Sequence, residues 1–523
     1  MENKYFEELI TKILKGEITK EDLIKWKSKL AKKYRLKNIP KNANALLYAE
    51  KHYNDQLKKL REVLQIKPVR TASGVSVVAI MSVGDCPGRC IYCPRGKKAP
   101  QSYTGVEPAT MRAKRLNYDP FKQVVTRLRQ LEITGHPTDK CEVIVMGGTF
   151  LYMSRKYQEW FIKRCYDAMN GIESKSLEEA KKINENTKHR CVGLTIETRP
   201  DYCRKKHINM MLHYGTTRIE LGVQTTDDEI LRIVKRGHTV KDTIVATGLA
   251  KDSAFKICYH MMPGLTGLYG EIDMKEEKRN LRKILTDPNF RPDLLKIYPT
   301  LVIPGTELYD MWKRGEYKPL TLEQAIELIL YVKKIVPKWV RIQRVQRDIS
   351  WKKIAAGPNV TNLRQIVQEI AKKHGIRCRC IRCREVGHRD IKVEDVKMYV
   401  TRYNASKGRE YFISFEDLKN DVLIGYIRLR LPYRVFRPEL KDAALVREIH
   451  VYGTEVPIGE TADKQGEKYQ HRGYGERLLE KAEEIALNNG YKNLAIISGV
   501  GVRNYFRKFD YRLIGPYMMK GLR

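Results

Sequence analysis

Between residues 72 and 345 short apolar runs alternate with amphipathic segments, and this alternation limits the fold more than any other feature of the chain. SVVAIMSV, EVIVMG, VGLTIE, RIELGV, KICYHMM and LLKIYPT have the length and composition of buried strands. Between them FKQVVTRLRQLEI, RKYQEWFIKRCYDAMN, NMMLHYG, DEILRIVKR and EKRNLRKILTD carry apolar residues at helical spacing. Strands that alternate with helices form parallel βα units. Six such units predict a partial barrel, with its chemistry at the carboxyl ends of the strands.

The flanks read differently. Residues 1–71 hold the helical runs FEELITKILKG, EDLIKWKSKLAKKYRL and ANALLYAEKHYNDQLKKLREVL, with lysine-rich polar faces. Residues 346–395 form a basic linker, and 396–523 are strand-rich, ending strand–loop–helix–strand. The expected class is α/β: a helical N-terminal region (1–71), a partial (β/α)6 barrel (72–345), a linker with a metal site (346–395) and a mixed-sheet domain (396–523).

Lys and Arg total 99 against 62 Asp and Glu, a net charge of +37. A thermophile's lysine bias normally brings glutamate with it. Here the acids lag, which favours a polyanionic partner, because each phosphate neutralised releases a condensed counterion. No run approaches the roughly 20 apolar residues of a membrane span, and the first residues lack a signal peptide's apolar stretch. The expectation is a cytoplasmic protein with no membrane partner.

Five of the eleven cysteines, Cys141, Cys165, Cys191, Cys203 and Cys258, sit in apolar surroundings and read as buried packing. The other six form two clusters. Cys86, Cys90 and Cys93, in MSVGDCPGRCIYCPRG, are spaced Cys-x3-Cys-x2-Cys just after the first strand. Three thiolates hold three irons of a 4Fe–4S cluster and leave the fourth iron open. Zinc fits this group poorly, with no fourth ligand nearby. The spacing resembles the radical-SAM signature, which implies S-adenosylmethionine on the open iron. Gly147, Gly148 and Thr149 after the second strand resemble that family's glycine motif, and Glu197 ends the third strand as an acceptor for the cofactor's ribose. Taken singly these residues are common strand-end features.

Cys378, Cys380 and Cys383, in CRCIRCREVGH, suit a structural zinc with His374 or His388 as fourth ligand, or else are incidental cysteines of a basic loop. In YQHRGYGERLLEKAEEIAL, the run Gln470, His471, Arg472, Gly473, Tyr474, Gly475 opens a helix, where backbone amides seat a pyrophosphate. The pattern resembles the acetyl-CoA loop of GNAT acetyltransferases, and GVGVRNYFRKFDYRLIGPYM follows as a GNAT ending would. Tyr505 and Phe506 then lie near the thioester or simply in the core.

Across nearly its whole length the chain resembles the catalytic subunit of Elongator in its archaeal form. The runs that carry the resemblance are CIYCPRG, GLTIETRPDYC, TTRIELGVQT, VKRGHTV, YHMMPGLTG, YPTLVIPGTELYDMWKRGEYKPL, RVQRDIS, REVGH, YGTEVP, QHRGYG and RNYFRKFDYRLIGPYM. Eukaryotic members have a longer spacing before the last two cluster cysteines and lack the second cluster. The resemblance implies a carboxymethyltransferase acting on the wobble uridine of tRNA. A deoxyadenosyl radical takes hydrogen from the acetyl methyl of acetyl-CoA, the carbon radical adds to carbon 5 of the base, and thioester hydrolysis leaves a carboxymethyl group. It implies tRNA as partner and leaves self-association and Elongator-like subunits open.

Lys235, Arg236, His238 and His260 lie in these motifs. All four are expected to contact tRNA or acetyl-CoA, or else to be surface charges or satisfied core histidines, and Lys235 and His260 are also catalytic candidates beside Tyr505. Arg344 and Arg347 are expected to meet phosphates or nearby acids, and Lys296 and Tyr298 to point into the pocket. The competing function is a protein lysine acetyltransferase with a structural iron–sulfur cluster, for which Glu448 is a candidate base.

Overall fold

The computed structural model describes residues 2–36, 38–64, 74–388, 393–452 and 473–523, without the side chains of Lys58 and His388. Helices Glu2–Leu14, Leu23–Lys33, Asn42–His52 and Leu57–Leu64 close over a small core of their own that includes Tyr5, Leu9, Ile10, Leu30, Leu46 and Leu60. The third helical run of the sequence is split at Tyr53, where the backbone leaves the helix at φ −141°. Asn54 and Asp55 follow, residues that favour turns over helix interiors. No helix among the described residues is long and apolar enough to cross a membrane.

The middle of the chain is one parallel sheet whose spatial order is its chain order. Its strands are β1 (Ser76–Met81), β2 (Lys140–Met146), β3 (Arg190–Thr198), β4 (Arg218–Gln224), β5 (Lys256–Met261), β6 (Leu294–Ile297) and β7 (Arg341–Arg344). Helices such as Pro120–Ile133, Arg155–Asn170 and Val240–Lys251 return the chain between strands. Each crossover adds a strand to the same edge, so the sheet is an open barrel with a packed helical exterior. The six expected strands are all present. The seventh, RIQR, is four residues long and half arginine, too short and too polar to be recognised by pattern.

The C-terminal sheet is mixed. It holds β8 (Lys397–Ala405), β9 (Gly408–Asp417), β10 (Val422–Leu431), β11 (Ala443–Val451), β12 (Asn493–Ile496), β13 (Arg512–Ile514) and β14 (Tyr517–Gly521), in the order β13-β14-β12-β11-β10-β9-β8. Only β11 and β12 run parallel, and they pair only over Ala443–Val446. Beyond that point β11 follows β10 alone. Helix Tyr474–Asn488 buries Leu478, Leu479, Ala482 and Ala486 on this sheet.

A buried ionic network joins the two sheets. Arg447 of β11 binds Asp293, just before β6, at 2.6 and 2.7 Å, and Glu410 of β9 at 2.7 Å. Arg430 of β10 reaches Glu410 at 2.9 Å and Asp252 at 2.6 Å, and Arg428 of β10 reaches Glu448 at 2.8 Å. Lys251 lies 3.5 Å from both Asp293 and Glu410. Four carboxylates face four cations here, which is what allows so much charge out of water. The mixed sheet therefore docks on residues at the amino ends of the barrel strands.

Candidate active site

The loop after β1 carries the first three cysteines across the carboxyl ends of the strands. It is locked to the turn after β2 by backbone and side-chain hydrogen bonds. The Thr149 amide donates to the Asp85 carbonyl at 2.9 Å, and the Ser82 hydroxyl to the Gly147 carbonyl at 3.2 Å. Gly147 and Gly148 take φ of 106° and 54°. A Cβ at Gly147 would lie 2.7 Å from the Ser82 carbonyl oxygen. The glycines thus admit the close approach of the cysteine loop. Thr149 turns its hydroxyl to Cys86 Sγ at 3.1 Å.

The two cysteine clusters differ in span. The sulfurs of Cys378, Cys380 and Cys383 all lie within 4.8 Å of one another, whereas Cys86, Cys90 and Cys93 form no such tight group. Sulfurs bound tetrahedrally to one ion at about 2.3 Å sit about 3.8 Å apart. A cubane of four irons needs a wider set. The first triad is thus not closed around a single ion, whereas the second is compact enough to hold one.

Charge around the first loop agrees. Arg236 donates to Cys90 Sγ at 3.5 Å and to the Gly222 carbonyl of β4 at 2.7 Å. Arg199, next after β3, is bidentate on Asp201 at 2.9 Å. Both guanidiniums are buried, and among the described residues Arg199 Nη1 and Arg236 Nε have no acceptor. Burial pushes the Cys93 thiol up, with neighbouring Cys90 adding to it. Uncompensated N–H groups beside three thiols suit the net negative charge of a thiolate-ligated cluster. Arg236 and His238, expected to contact tRNA or acetyl-CoA or else to be a surface charge and a satisfied core histidine, are both buried. Burial, with the charges of Arg236 and Arg199, holds the His238 imidazolium down at about 2.

Inside the barrel a column of polar residues runs from its amino to its carboxyl end. Glu142 of β2 pairs with Arg218 of β4 and accepts from the Thr195 hydroxyl at 3.0 Å. Arg218 lies 3.1 Å from Glu220, which also pairs with Lys296 of β6. His260 Nε2 of β5 meets Glu220 at 2.7 Å, and Lys296 Nζ reaches Glu197 of β3 at 3.3 Å. Burial would raise the Glu220 carboxyl, but Lys296, His260 and Arg218 outweigh it and hold the group well below the usual range. Burial and the Lys296 ammonium keep His260 neutral. Glu220, Cys258 and His260 have the spacing of a metal site, yet the Lys296 ammonium already lies against Glu220, where a cation would bind. Tyr298 packs edge-on to His260 with ring centroids 5.4 Å apart. Glu197, His260, Lys296 and Tyr298 thus come together. Lys235 does not join them: it is exposed, at φ 53°, and pairs with Glu307 at 2.6 and 2.8 Å.

The second site lies on the mixed sheet. Gly473 caps helix Tyr474–Asn488 at φ 75°, which leaves the first helical amides free to meet an anion. Gly475 is held to glycine by Tyr505, whose hydroxyl lies 2.5 Å from where a Cβ would stand. Tyr505 is partly exposed, and burial raises its hydroxyl to about 12, so it remains protonated. Phe506 is in the core. Gln470, His471 and Arg472 lie outside the described residues. Glu448 is no free base: it is clasped by Arg428 at 2.8 Å, and Lys256 and Arg428 overcome burial to hold it at about 2.

Cys378, Cys380 and Cys383 follow helix Leu363–Lys373 and lie beside Lys333, whose ammonium is 3.8 Å from Cys383 Sγ. Hydrogen bonds from Cys378 and Cys383 hold the Cys380 thiol well below its usual range. Among the described residues no histidine joins the three sulfurs, and His374 is exposed at the helix end. Sequence reasoning missed Arg199, Glu220 and the buried placement of Arg236. Single charged residues in strand-end loops carry no pattern that distinguishes inside from outside.

Comparison with known proteins agrees with both halves. The ELP3 N-terminal domain matches residues 2–72, the Radical SAM superfamily 80–273, the Radical_SAM C-terminal domain 292–373 and the acetyltransferase (GNAT) family 381–511. The tRNA uridine(34) acetyltransferase of Methanocaldococcus infernus is 51% identical over the full length of both chains. Its counterpart in Methanocaldococcus jannaschii is 51% identical over 92% of this chain and 90% of that one. Human Elongator complex protein 3 is 44% identical, covering 96% and 93%. The solved structure of archaeal M. infernus Elp3 with an N-terminus deletion (1-46) superposes with a TM-score of 0.76 at 50% identity, covering 86% of this chain and 100% of that one. With a half-barrel carrying the three-cysteine loop and a mixed sheet carrying the glycine-opened helix, the chain belongs to the Elongator complex protein 3 family, which joins a radical SAM domain and a GNAT domain in one polypeptide.

Proposed function

We propose that the chain modifies the wobble uridine of tRNA, forming 5-carboxymethyluridine from acetyl-CoA with S-adenosylmethionine as the radical source. What carries the reading is that a wide three-cysteine loop and a glycine-opened helix start occur in one body, cross-linked by Arg447 and Asp293. Cys86, Cys90 and Cys93 hold the iron–sulfur cluster, which when bound supplies reductive cleavage of the sulfonium to a deoxyadenosyl radical. Glu197 accepts from the cofactor's ribose, and Lys296 fixes its carboxylate. Gly147, Gly148 and Thr149 set the cysteine loop in place. The amides at Gly473, Tyr474 and Gly475, with Gln470, His471 and Arg472 before them, hold the pyrophosphate of acetyl-CoA, and Tyr505 stands over that helix start. His260, neutral and partly buried beside Glu220, is the pocket's proton acceptor.

Exposed Arg89, Arg95, Lys97, Lys98, Arg344, Lys352 and Lys353 supply the positive surface for RNA around the barrel mouth, with the lysine-rich N-terminal helices beyond it. Cys378, Cys380 and Cys383 hold a structural zinc that pins the linker between barrel and mixed sheet. The domains divide near residues 71, 345 and 395, and the protein works in the cytoplasm. The candidate base of the lysine acetyltransferase reading, Glu448, is held in an ion pair by Arg428.

The test uses protein purified without oxygen and reconstituted with iron and sulfide. It is incubated with dithionite, S-adenosylmethionine, acetyl-CoA and unmodified tRNA, and digested nucleosides are weighed by mass spectrometry. Carboxymethyluridine that vanishes in C90S and C93S supports the reading. Acetylated protein lysines without new nucleoside or deoxyadenosine would overturn it.

A further inference from the structure

Arg236 presents a buried positive charge that no carboxylate among the described residues neutralises. It is 7% exposed. Its hydrogen bonds go to a neutral carbonyl, Gly222, and to a ligand sulfur, Cys90, and among the described residues no carboxylate pairs with it. Arg199 nearby is different, because Asp201 matches its charge at 2.9 Å.

The chain makes room for both groups. Gly222 and Gly237 stand where a Cβ would lie 2.5 Å from Arg236 Nη2 and 2.8 Å from Arg199 Nη2, and a Cβ at Gly88, inside the cysteine loop, would collide with Arg199 Nη1. The Arg236 loop is itself tied to the cysteine loop, since the Ile91 amide donates to the Val234 carbonyl at 3.2 Å. A buried guanidinium without an anion is strongly disfavoured. The missing anion therefore belongs beside Cys90.

We propose that Arg236 is the counter-ion of the iron–sulfur cluster and a positioning residue that sets its reduction potential. The inference rests on the family reading of Cys86, Cys90 and Cys93. Adding an electron makes a thiolate-ligated cluster more negative, and a fixed cation within hydrogen-bonding reach of a ligand sulfur favours that state. The protein thereby eases the one-electron reduction by an external donor that must precede use of the sulfonium. Arg199, already neutralised by Asp201, contributes less.

The experiment is an anaerobic redox titration followed by electron paramagnetic resonance, on full-length reconstituted protein with iron and sulfide counted first. R236M and R236Q are expected to hold a cluster whose reduced-to-oxidised ratio falls roughly tenfold or more at fixed potential, a midpoint about 59 mV more negative for one electron. R236K, which keeps the charge, should stay nearer wild type. A fully loaded R236M with an unchanged midpoint would overturn the proposal. If both neutral variants lose iron while R236K keeps it, the counter-ion role stands. If R236K loses iron equally, the residue serves packing alone and the proposal fails. Wild-type protein that takes up no cluster would instead sink the underlying functional reading.

Discussion

Arg447 of the mixed sheet grips both carboxylate oxygens of Asp293, at 2.6 and 2.7 Å, from across the boundary with the barrel. Both side chains are fully buried, so the pair cannot be exchanged for water when one member is lost. R447M would strip Asp293 and Glu410 of their bidentate partner, leaving Lys251 at 3.5 Å from both and Arg430 at 2.9 Å from Glu410 to offset the buried charge only in part. We expect a loss on the order of 3–5 kcal/mol, read as a lower denaturant midpoint in which barrel and mixed sheet unfold together. A variant with wild-type stability would show that the boundary is not held by charge.

Acid should weaken the same boundary. The folded carboxyls of Asp293 and Glu410 are held below their ordinary values, chiefly by Arg447 against the opposing pull of burial, and Glu448 is held at about 2. The folded state therefore binds fewer protons than the unfolded chain below about pH 4. The stability these groups give is present above that pH and is lost as pH falls toward 2. Unfolding free energies at pH 6, 4 and 3 should decline in that order, and more shallowly in R447M. A flat profile in wild type would contradict the linkage.

Tyr505 and Gly475 act as one unit, because the hydroxyl occupies the space of the absent Cβ. G475A must push Tyr505 aside. We expect acetyl-CoA affinity, measured by calorimetry, to fall roughly tenfold in G475A and in Y505A, with the double variant no worse than either. Additive losses would mean that the two residues work separately.

The second cysteine triad should bind one zinc per chain independently of iron. C380S is expected to abolish zinc in elemental analysis while leaving iron loading at the first loop unchanged. Loss of iron in C380S would indicate that the two metal sites are not independent.

Binding of tRNA should weaken steeply with salt. Each phosphate contact contributes about 0.9 to the logarithmic salt slope, so K352A/K353A, altering two exposed lysines at the barrel mouth, should flatten it by about 1 to 2. An unchanged slope would move the RNA surface elsewhere.

Much of this protein was legible in its sequence because local chemistry dictates it. All six strands anticipated for the barrel are present, since buried parallel strands must be short apolar runs between amphipathic helices. The spacing of Cys86, Cys90 and Cys93 and the glycines before helix Tyr474–Asn488 likewise report backbone needs set within a few residues. Charged side chains distant in sequence gave no such signal. Arg236, Arg447 and Glu220 look like ordinary surface residues in the string, and the eye cannot tell that each is buried. Only the tertiary fold brings Asp293 to Arg447, Glu220 to Lys296 and Cys90 to Arg236, because a buried charge is defined by the partner that meets it.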